Sequence, residues 1–366
     1  MVGDAVDALV REVGAPAFAR SARALADRIA RHRESARATT PSMKLAALLV
    51  GLVVVTGCEK SGSGAAESAA LTAGETAMLG HLPKGSNALF GGNYMKFQNY
   101  LGSSPMFAKA MALVDKTVPG VAGWLGCWAK EMPKLEMLGS IKLDLETEKL
   151  TMQLVMNGAD FSTVEKCATQ ASFPMSVDPD HKFMSYELPS AMGTVKSGYL
   201  VLADGMIYTR QTMSLGGQRY TGALERRDLE ADIVGLQMGT AQNDTALVAE
   251  AAKIDRKKSM WFVASGANTP AYDKVGLARG TFAIENGMTA DLSVEIKDGR
   301  AADKLENMVG DAKEHADRLP GAMGQMIKAL KFSRSGDQFR FTLSLSDKQL
   351  SNLFDQLAPL MGAGRP

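Results

Sequence analysis

An apolar run of eleven residues, Leu45–Val55, is the feature that most restricts how this chain can be organised. Met43 and Lys44 precede the run, and the small residues Thr56 and Gly57 follow it. A helix needs roughly 20 apolar residues to cross a bilayer, so this run is too short to span one. A basic start, a short apolar core and small residues at its end are typical of a secretory signal peptide. We therefore expect the chain beyond this run to be exported.

Cys58 directly follows the small residues, and the four residues Val55-Thr56-Gly57-Cys58 resemble the lipobox of bacterial lipoproteins. The resemblance implies cleavage between Gly57 and Cys58, attachment of a diacylglyceryl group to the Cys58 thiol, and acylation of the new amino terminus. Several acyl chains hold a protein stably where one holds it weakly, so the membrane is the first expected partner. Glu59 rather than aspartate follows the cysteine. By the same resemblance, this predicts the outer membrane.

Residues 1–42 precede the signal peptide of residues 43–57 and form an Ala- and Arg-rich amphipathic segment. A secretory signal normally starts within a few residues of its charged region, so a prefix of this length is unusual. The favoured interpretation is an upstream extension from a misassigned gene start, with the true start at Met43. The alternative is a genuine long region before the signal.

Residues 58–76 are dominated by Gly, Ser and Ala and contain few large apolar residues. Such a segment buries too little apolar surface to offset the entropy of ordering it. We therefore expect a flexible tether between the lipid and the folded body.

Residues 77–366 combine strand and helix patterns, which predicts an α+β fold built from antiparallel strands and amphipathic helices. Residues 140–145 and 150–156 alternate with period two, as in half-buried strands. Residues 280–296 show a similar strand, turn and strand. We therefore predict a first α+β repeat at 77–210, a connecting segment at 211–257 and a second repeat at 258–366. One large mixed sheet with a shared core is the alternative.

Local signals fix several boundaries within these repeats. Ser162-x-x-Glu165 and Ser346-x-x-Gln349 have the spacing of capping boxes, so each is expected to open a helix. Asp204-Gly205 lies between two apolar runs and predicts a tight hairpin turn.

The chain contains three cysteines, and lipidation of Cys58 would leave Cys127 and Cys167. Cys167 falls on the apolar side of its predicted helix, where Cys127 can meet it. In an exported protein, an even number of remaining cysteines predicts one disulfide between these two residues. Two unrelated buried thiols are the alternative, because free cysteine behaves as a small hydrophobe.

The sequence offers little sign of catalysis. It contains no zinc-protease helix motif, Walker loop, dinucleotide glycine fingerprint or nucleophile elbow. His181, in Asp178-Pro-Asp-His, belongs to the one local group that resembles a metal site, and an exposed turn is the ordinary interpretation. The 22 methionines are scattered at apolar positions, which favours core packing over copper binding. We predict no catalytic residues, no metal and no cofactor.

Charge and composition exclude a further class of function. The formal net charge is +1, and no concentrated basic face is apparent, so a nucleic-acid partner is not expected. The sequence therefore predicts a membrane-anchored envelope lipoprotein with a non-enzymatic interaction or structural role, with an envelope protein as its partner. The alternative is a carrier that binds an apolar ligand or lipid between the two halves.

Overall fold

The structure is a computed structural model that describes residues 71–83, 85–93, 108, 112, 115, 119–144, 149–190, 193–214, 224–235, 245–256, 258–266, 274–284, 287–318 and 321–362. The folded residues form two compact units. One spans residues 66–264 and the other contains residues 265–366. Both combine helices with antiparallel strands, so the predicted α+β class is confirmed.

The unit of residues 66–264, hereafter the eight-stranded unit, is built on one antiparallel sheet. Its strands are β1 (Ala88–Asn93), β2 (Glu136–Asp144), β3 (Lys149–Asn157), β4 (Ser176–Val177), β5 (Phe183–Ser190), β6 (Gly193–Val201), β7 (Ile207–Ser214) and β8 (Met260–Ser265). They lie in the order β8-β1-β2-β3-β7-β6-β5-β4. The predicted turn at Asp204-Gly205 joins β6 to β7, and Gly205 adopts the left-handed conformation that favours glycine.

Helices cover both faces of this sheet. On one face, α2 (Val121–Glu131) and α3 (Phe161–Gln170) pack on β3 and the strands β5 to β7. On the other, α1 (Ala73–Leu79), α4 (Arg226–Gly235) and α5 (Thr245–Ala251) supply apolar side chains to a second core. Neighbouring residues of one strand, such as Ile207 and Tyr208, pack into opposite cores, because successive side chains of a strand point to opposite faces.

The unit of residues 265–366, hereafter the four-stranded unit, has a smaller antiparallel sheet. Its strands are β9 (Val275–Ile284), β10 (Met288–Ile296), β11 (Lys331–Ser335) and β12 (Gln338–Leu345), in the order β11-β12-β10-β9. Its helices are α6 (Gly299–Glu314), a 3-10 turn at Ala316–Arg318, α7 (Gly321–Ala329) and α8 (Asp347–Gly362). In β12, Phe339, Phe341 and Leu343 are buried while the residues between them are more exposed, so the helices cover one face of this sheet.

The two units share one order of elements. In the eight-stranded unit the hairpin β2–β3 precedes α3, and the later hairpin β6–β7 adds β7 beside β3. In the four-stranded unit the hairpin β9–β10 precedes α6, and the later hairpin β11–β12 adds β12 beside β10. An aspartate, Asp160 or Asp298, caps the helix that follows the first hairpin in each case.

The structure corrects the start of one predicted helix and agrees with another. Asp160, not Ser162, is the N-cap of α3, because the Asp160 carboxylate accepts a hydrogen bond from the backbone N–H of Thr163. At α8, the Gln349 N–H donates to the Ser346 hydroxyl, and the Ser346 N–H donates to the Gln349 side chain. The capping box predicted there is therefore present.

The predicted boundaries of the connecting segment differ from those of the folded units. Residues 211–214 complete β7, a strand inside the sheet, and α4 and α5 bury Leu229 and Leu247 in one of its cores. Met260–Ser265 pairs with β1. The segment of residues 211–257 is thus part of the eight-stranded unit, and the division between the units falls at residues 264 and 265.

The end of the predicted tether is folded as well. Residues 73–76 belong to α1, which Thr72 and Glu75 begin with a reciprocal capping box. Glu75 also accepts from the Arg256 guanidinium at 2.9 Å, and the two side chains are only 17% and 8% exposed. This ion pair joins α1 to the segment that follows α5, although the two residues are 181 positions apart. Residues 58–70 of the predicted tether lie outside the described residues.

Replacing Arg256 with methionine tests this attachment. We expect the free energy of unfolding to fall by about 2 kcal/mol, because Glu75 would be left mostly buried without a charged partner. Chemical denaturation gives the measurement. Arg227→Met is the control, since the ion pair of Arg227 with Glu225 has side chains 79% and 57% exposed, and the change should alter stability by less than about 0.5 kcal/mol. Equal effects of the two changes would contradict the prediction.

Across the described ranges, none of the helices has the length and apolar character needed to traverse a bilayer.

Candidate functional site

The predicted lipidation and cleavage site, Cys58 and Gly57, lies outside the described residues. The structure therefore neither supports nor contradicts the lipobox. The same holds for the signal peptide of residues 43–57 and for the extension of residues 1–42.

Cys127 and Cys167 form a disulfide, as the sequence predicts. The two sulfur atoms are 1.99 Å apart and the two Cα atoms 5.5 Å apart, which is the usual spacing for a disulfide. Cys127 lies in α2 and Cys167 in α3. The bridge therefore fixes two helices to each other on one face of the eight-stranded sheet.

An aromatic core lies beneath the bridge. Trp124 stacks on Phe173 with ring centroids 4.4 Å apart, and Tyr186 lies edge-on to both rings. Tyr199 and Trp128 complete the cluster. These spacings are those of rings in direct contact. This interior is therefore a packed core of the eight-stranded unit.

Two of the described histidines, His81 and His181, form carboxylate pairs near the surface. His181 approaches Glu165 at 2.9 Å, and its turn is exposed, as expected. His81 approaches Asp204 at 2.7 Å, which links the end of α1 to the β6–β7 turn. Within the described part of the chain, His, Cys, Asp and Glu side chains form no group of three or more that could hold a metal ion.

The strongest concentration of buried polar side chains lies on the other face of the sheet, below α4. We call it the polar patch, and it consists of the buried Ser140, Gln153, Lys196 and Thr212 together with the half-buried Arg210. Strand pairing brings these residues together. Lys196 lies opposite Thr212, and Arg210 lies opposite Gln153, which in turn lies opposite Ser140. Lys196 is only 5% exposed and Thr212 only 6%.

Helix α4 supplies the carboxylate that faces this patch. Asp232 accepts from Arg210 Nη1 at 3.2 Å and from the Tyr208 hydroxyl at 2.9 Å. Burial, followed by the negative charge of Asp232, raises the pKa of Tyr208, so the phenol is neutral and acts as the donor. Lys196 pairs with Glu187 on the neighbouring strand at 3.4 Å.

Two polar atoms of the patch are buried without a hydrogen-bond partner among the described residues. They are the Thr212 hydroxyl oxygen and Arg210 Nε. A buried polar group without a partner costs free energy, so native structures satisfy nearly all such groups with protein atoms or water. The patch therefore has unused hydrogen-bonding capacity at two neighbouring side chains.

The sequence interpretation missed this patch. Lys and Arg are seldom buried, so Lys196 and Arg210 resemble solvent-facing residues of their strands. The sequence signal that could have identified the patch is the alternation of side chains between the two faces of each strand. Lys196 shares a strand face with Leu200, and Arg210 shares one with Tyr208, both of which are buried in the core.

Replacing Tyr208 with phenylalanine measures the bond between the sheet and α4. We expect the free energy of unfolding to fall by about 2 kcal/mol, because a buried hydroxyl no longer donates to the Asp232 carboxylate. Denaturant unfolding gives the measurement. In an Asp232→Ala background the same change should cost much less. A full loss in that background would show that the effect does not come from this hydrogen bond.

Comparison with known proteins identifies no family. No family model matches the chain, and no curated protein matches it in sequence. A structure of TP0453 in crystal form I is 8% identical, covers 76% of this chain and 97% of its own, and has a TM-score of 0.38. The di-domain ARO/CYC StfQ from the steffimycin biosynthetic pathway is 10% identical and has a TM-score of 0.10. The match covers 63% of this chain and 75% of the StfQ chain. Neither similarity is close enough to bear on function.

Proposed function

We propose that this protein is an exported bacterial lipoprotein with a non-enzymatic interaction role in the cell envelope. Its body is held at the membrane through acyl chains on Cys58. The single observation that carries the proposal is the apolar run ending in Val55-Thr56-Gly57-Cys58. Glu59 at the next position favours the outer membrane.

The Cys127–Cys167 disulfide supports the export step. Disulfides persist in oxidising compartments such as the periplasm and are rare in the reducing cytosol. The bridge joins two helices over a buried aromatic core, so it belongs to the folded architecture of the unit.

We also propose that the two halves of the body are copies of one α+β module. The support is the shared order of hairpin, Asp-capped helix and second hairpin, together with the matching strand orders β2-β3-β7-β6 and β9-β10-β12-β11. The copies do not coincide with the repeats of residues 77–210 and 258–366, because β8 pairs within the eight-stranded unit.

Site-specific photo-crosslinking in cells tests the interaction role. Val234 and Met260 are the large apolar side chains that the described surface exposes most, at 53% and 37%. A photo-reactive residue at either position should give one discrete crosslinked product with an envelope protein. The exposed Lys313 of α6 is the control position. Crosslinks of equal strength at all three positions, or none at either apolar position, would count against the proposal.

A further inference from the structure

The Thr212 hydroxyl and Arg210 Nε, which have no partner among the described residues, lie beside the Lys196 ammonium, which is paired with Glu187. Lys196 and Thr212 are directly opposite on paired strands, which places their Cβ atoms about 5 Å apart. Arg210 precedes Thr212 by two residues on β7 and therefore shares its face of the sheet. An ammonium, a hydroxyl and a guanidinium Nε–H are thus presented on neighbouring positions of one buried surface.

We propose that the polar patch binds the oxyanion group of a small molecule, a carboxylate or a phosphate, which accepts from Lys196, Thr212 and Arg210. Ammonium and guanidinium groups are donors only, and the Thr212 hydroxyl can donate as well. A ligand that completes this set must bring acceptor oxygens. Hydrogen bonds from charged donors to an oxyanion are the strong ones, and burial strengthens them further.

The charges around the patch limit what it can hold. Lys196 and Arg210 face the carboxylates of Glu187 and Asp232, and Asp228 lies at the start of the same helix. Lys149 of β3, which lies opposite Ser214 of β7, adds a further cation on the same face of the sheet. Burial and then the charge of Arg210 lower the pKa of Lys149, while nearby carboxylates such as Asp144 and Asp232 act in the opposite direction.

The patch therefore matches one oxyanion group rather than a polyanion. Its cations are already partly balanced by carboxylates from β5 and α4, so a ligand of high charge would meet repulsion. Arg210 keeps Nη1 on Asp232, which leaves Nε for the ligand. This binding is independent of the lipid anchor, since every group involved lies within the eight-stranded unit.

Ligand-induced stabilisation and calorimetry test the proposal on the protein purified from membranes in detergent. The probes are sodium phosphate, sodium acetate and sodium chloride at matched ionic strength. Phosphate or acetate should raise the melting temperature, and chloride should not. The stronger of the two active probes distinguishes a phosphate-bearing ligand from a carboxylate-bearing one.

Two variants locate the binding. Thr212→Val should lower the affinity for the active probe about tenfold or more, because it removes one hydrogen-bond donor to a charged acceptor. Thr209→Val is the matched control, since Thr209 is a buried threonine of the same strand on the opposite face. It should leave the affinity unchanged.

The stability of Thr212→Val is also measured without a probe, because this measurement shows whether the variant folds. Stabilisation by neither phosphate nor acetate would mean that the patch holds ordered water only, and it would overturn the proposal. Equal loss of binding in Thr212→Val and Thr209→Val would overturn it as well. A shift in the wild type that Thr212→Val loses and Thr209→Val keeps would support it.

Discussion

Replacing Cys58 with alanine is expected to remove all fatty-acid labelling from this protein. The sulfur of Cys58 is the atom that the lipobox resemblance assigns to the diacylglyceryl group, and alanine offers no nucleophile in its place. Cleavage before residue 58 should fail too, because the lipobox resemblance places the cleavage point directly before a cysteine, so residues 43–57 stay attached. Labelling of cells with an alkyne fatty acid and the intact mass of the purified protein give the two measurements.

The expected change is close to all or none because membrane attachment depends steeply on acyl chain number. Burial of each CH₂ contributes about 0.8 kcal/mol, and a single chain of about 14 carbons holds a protein only reversibly. Three chains at one residue should resist a high-salt and carbonate wash. Thr56→Ala is the matched control, since it keeps a small residue before the cleavage point and should label normally. Persistent labelling of Cys58→Ala would refute the assignment of the anchor.

Much of the fold follows from local sequence patterns. Of the alternating residues 140–145 and 150–156, residues 140–144 lie in β2 and 150–156 in β3, while Leu145 lies outside the described residues. Residues 280–296 lie mostly in β9 and β10. These patterns succeed because one side of each strand is buried and successive side chains point to opposite faces. The start of α8 was predictable for a similar reason, since a capping box requires only residues within one helical turn.

The predicted boundaries of the connecting segment are wrong where polar residues are buried. The polar composition of residues 211–257 predicts a connection, yet Thr212 is buried in β7, and α4 and α5 cover the sheet. Whether such polar segments are buried depends on contacts between residues far apart in the sequence. The Glu75–Arg256 ion pair, which folds the end of the predicted tether, joins residues 181 positions apart, and no periodic pattern connects them.

The candidate site was hidden for the same reason. A lysine or arginine in a strand is usually exposed, so Lys196 and Arg210 carry no individual signal of burial. Their environment depends on α4, whose Asp232 lies 22 residues after Arg210 and reaches it only in the folded unit. Cys127 and Cys167 were easier to pair, because the count of cysteines and the apolar side of α3 left few alternatives.

Removing the Cys127–Cys167 bridge is the second change expected to have a large effect. The bridge joins residues 40 positions apart, and restricting a loop of this length in the unfolded chain corresponds to about 4 kcal/mol in the chain-entropy estimate. We expect the double change Cys127→Ala and Cys167→Ala to lower the free energy of unfolding by about 3 kcal/mol. Alanine is preferred to serine because Cys167 is fully buried and a hydroxyl there would add its own cost.

Intrinsic tryptophan fluorescence during denaturant unfolding provides the measurement. Trp124 and Trp128 lie in α2 beside the bridge and are buried in the aromatic core, so they report directly on the region that the bridge holds. For a unit of this size, a loss of about 3 kcal/mol corresponds to a decrease in melting temperature of about 6–12 °C.

Reduction of the wild-type protein provides the control that separates the covalent bond from the lost sulfur atoms. Reduced wild type and the double variant should unfold at similar denaturant concentrations, and a reductant should leave the double variant unchanged. A wild type whose stability does not respond to reduction would show that α2 and α3 are held by their apolar contacts alone. In that case the bridge would add no stability, and its value as support for export would rest on the oxidising compartment that it requires.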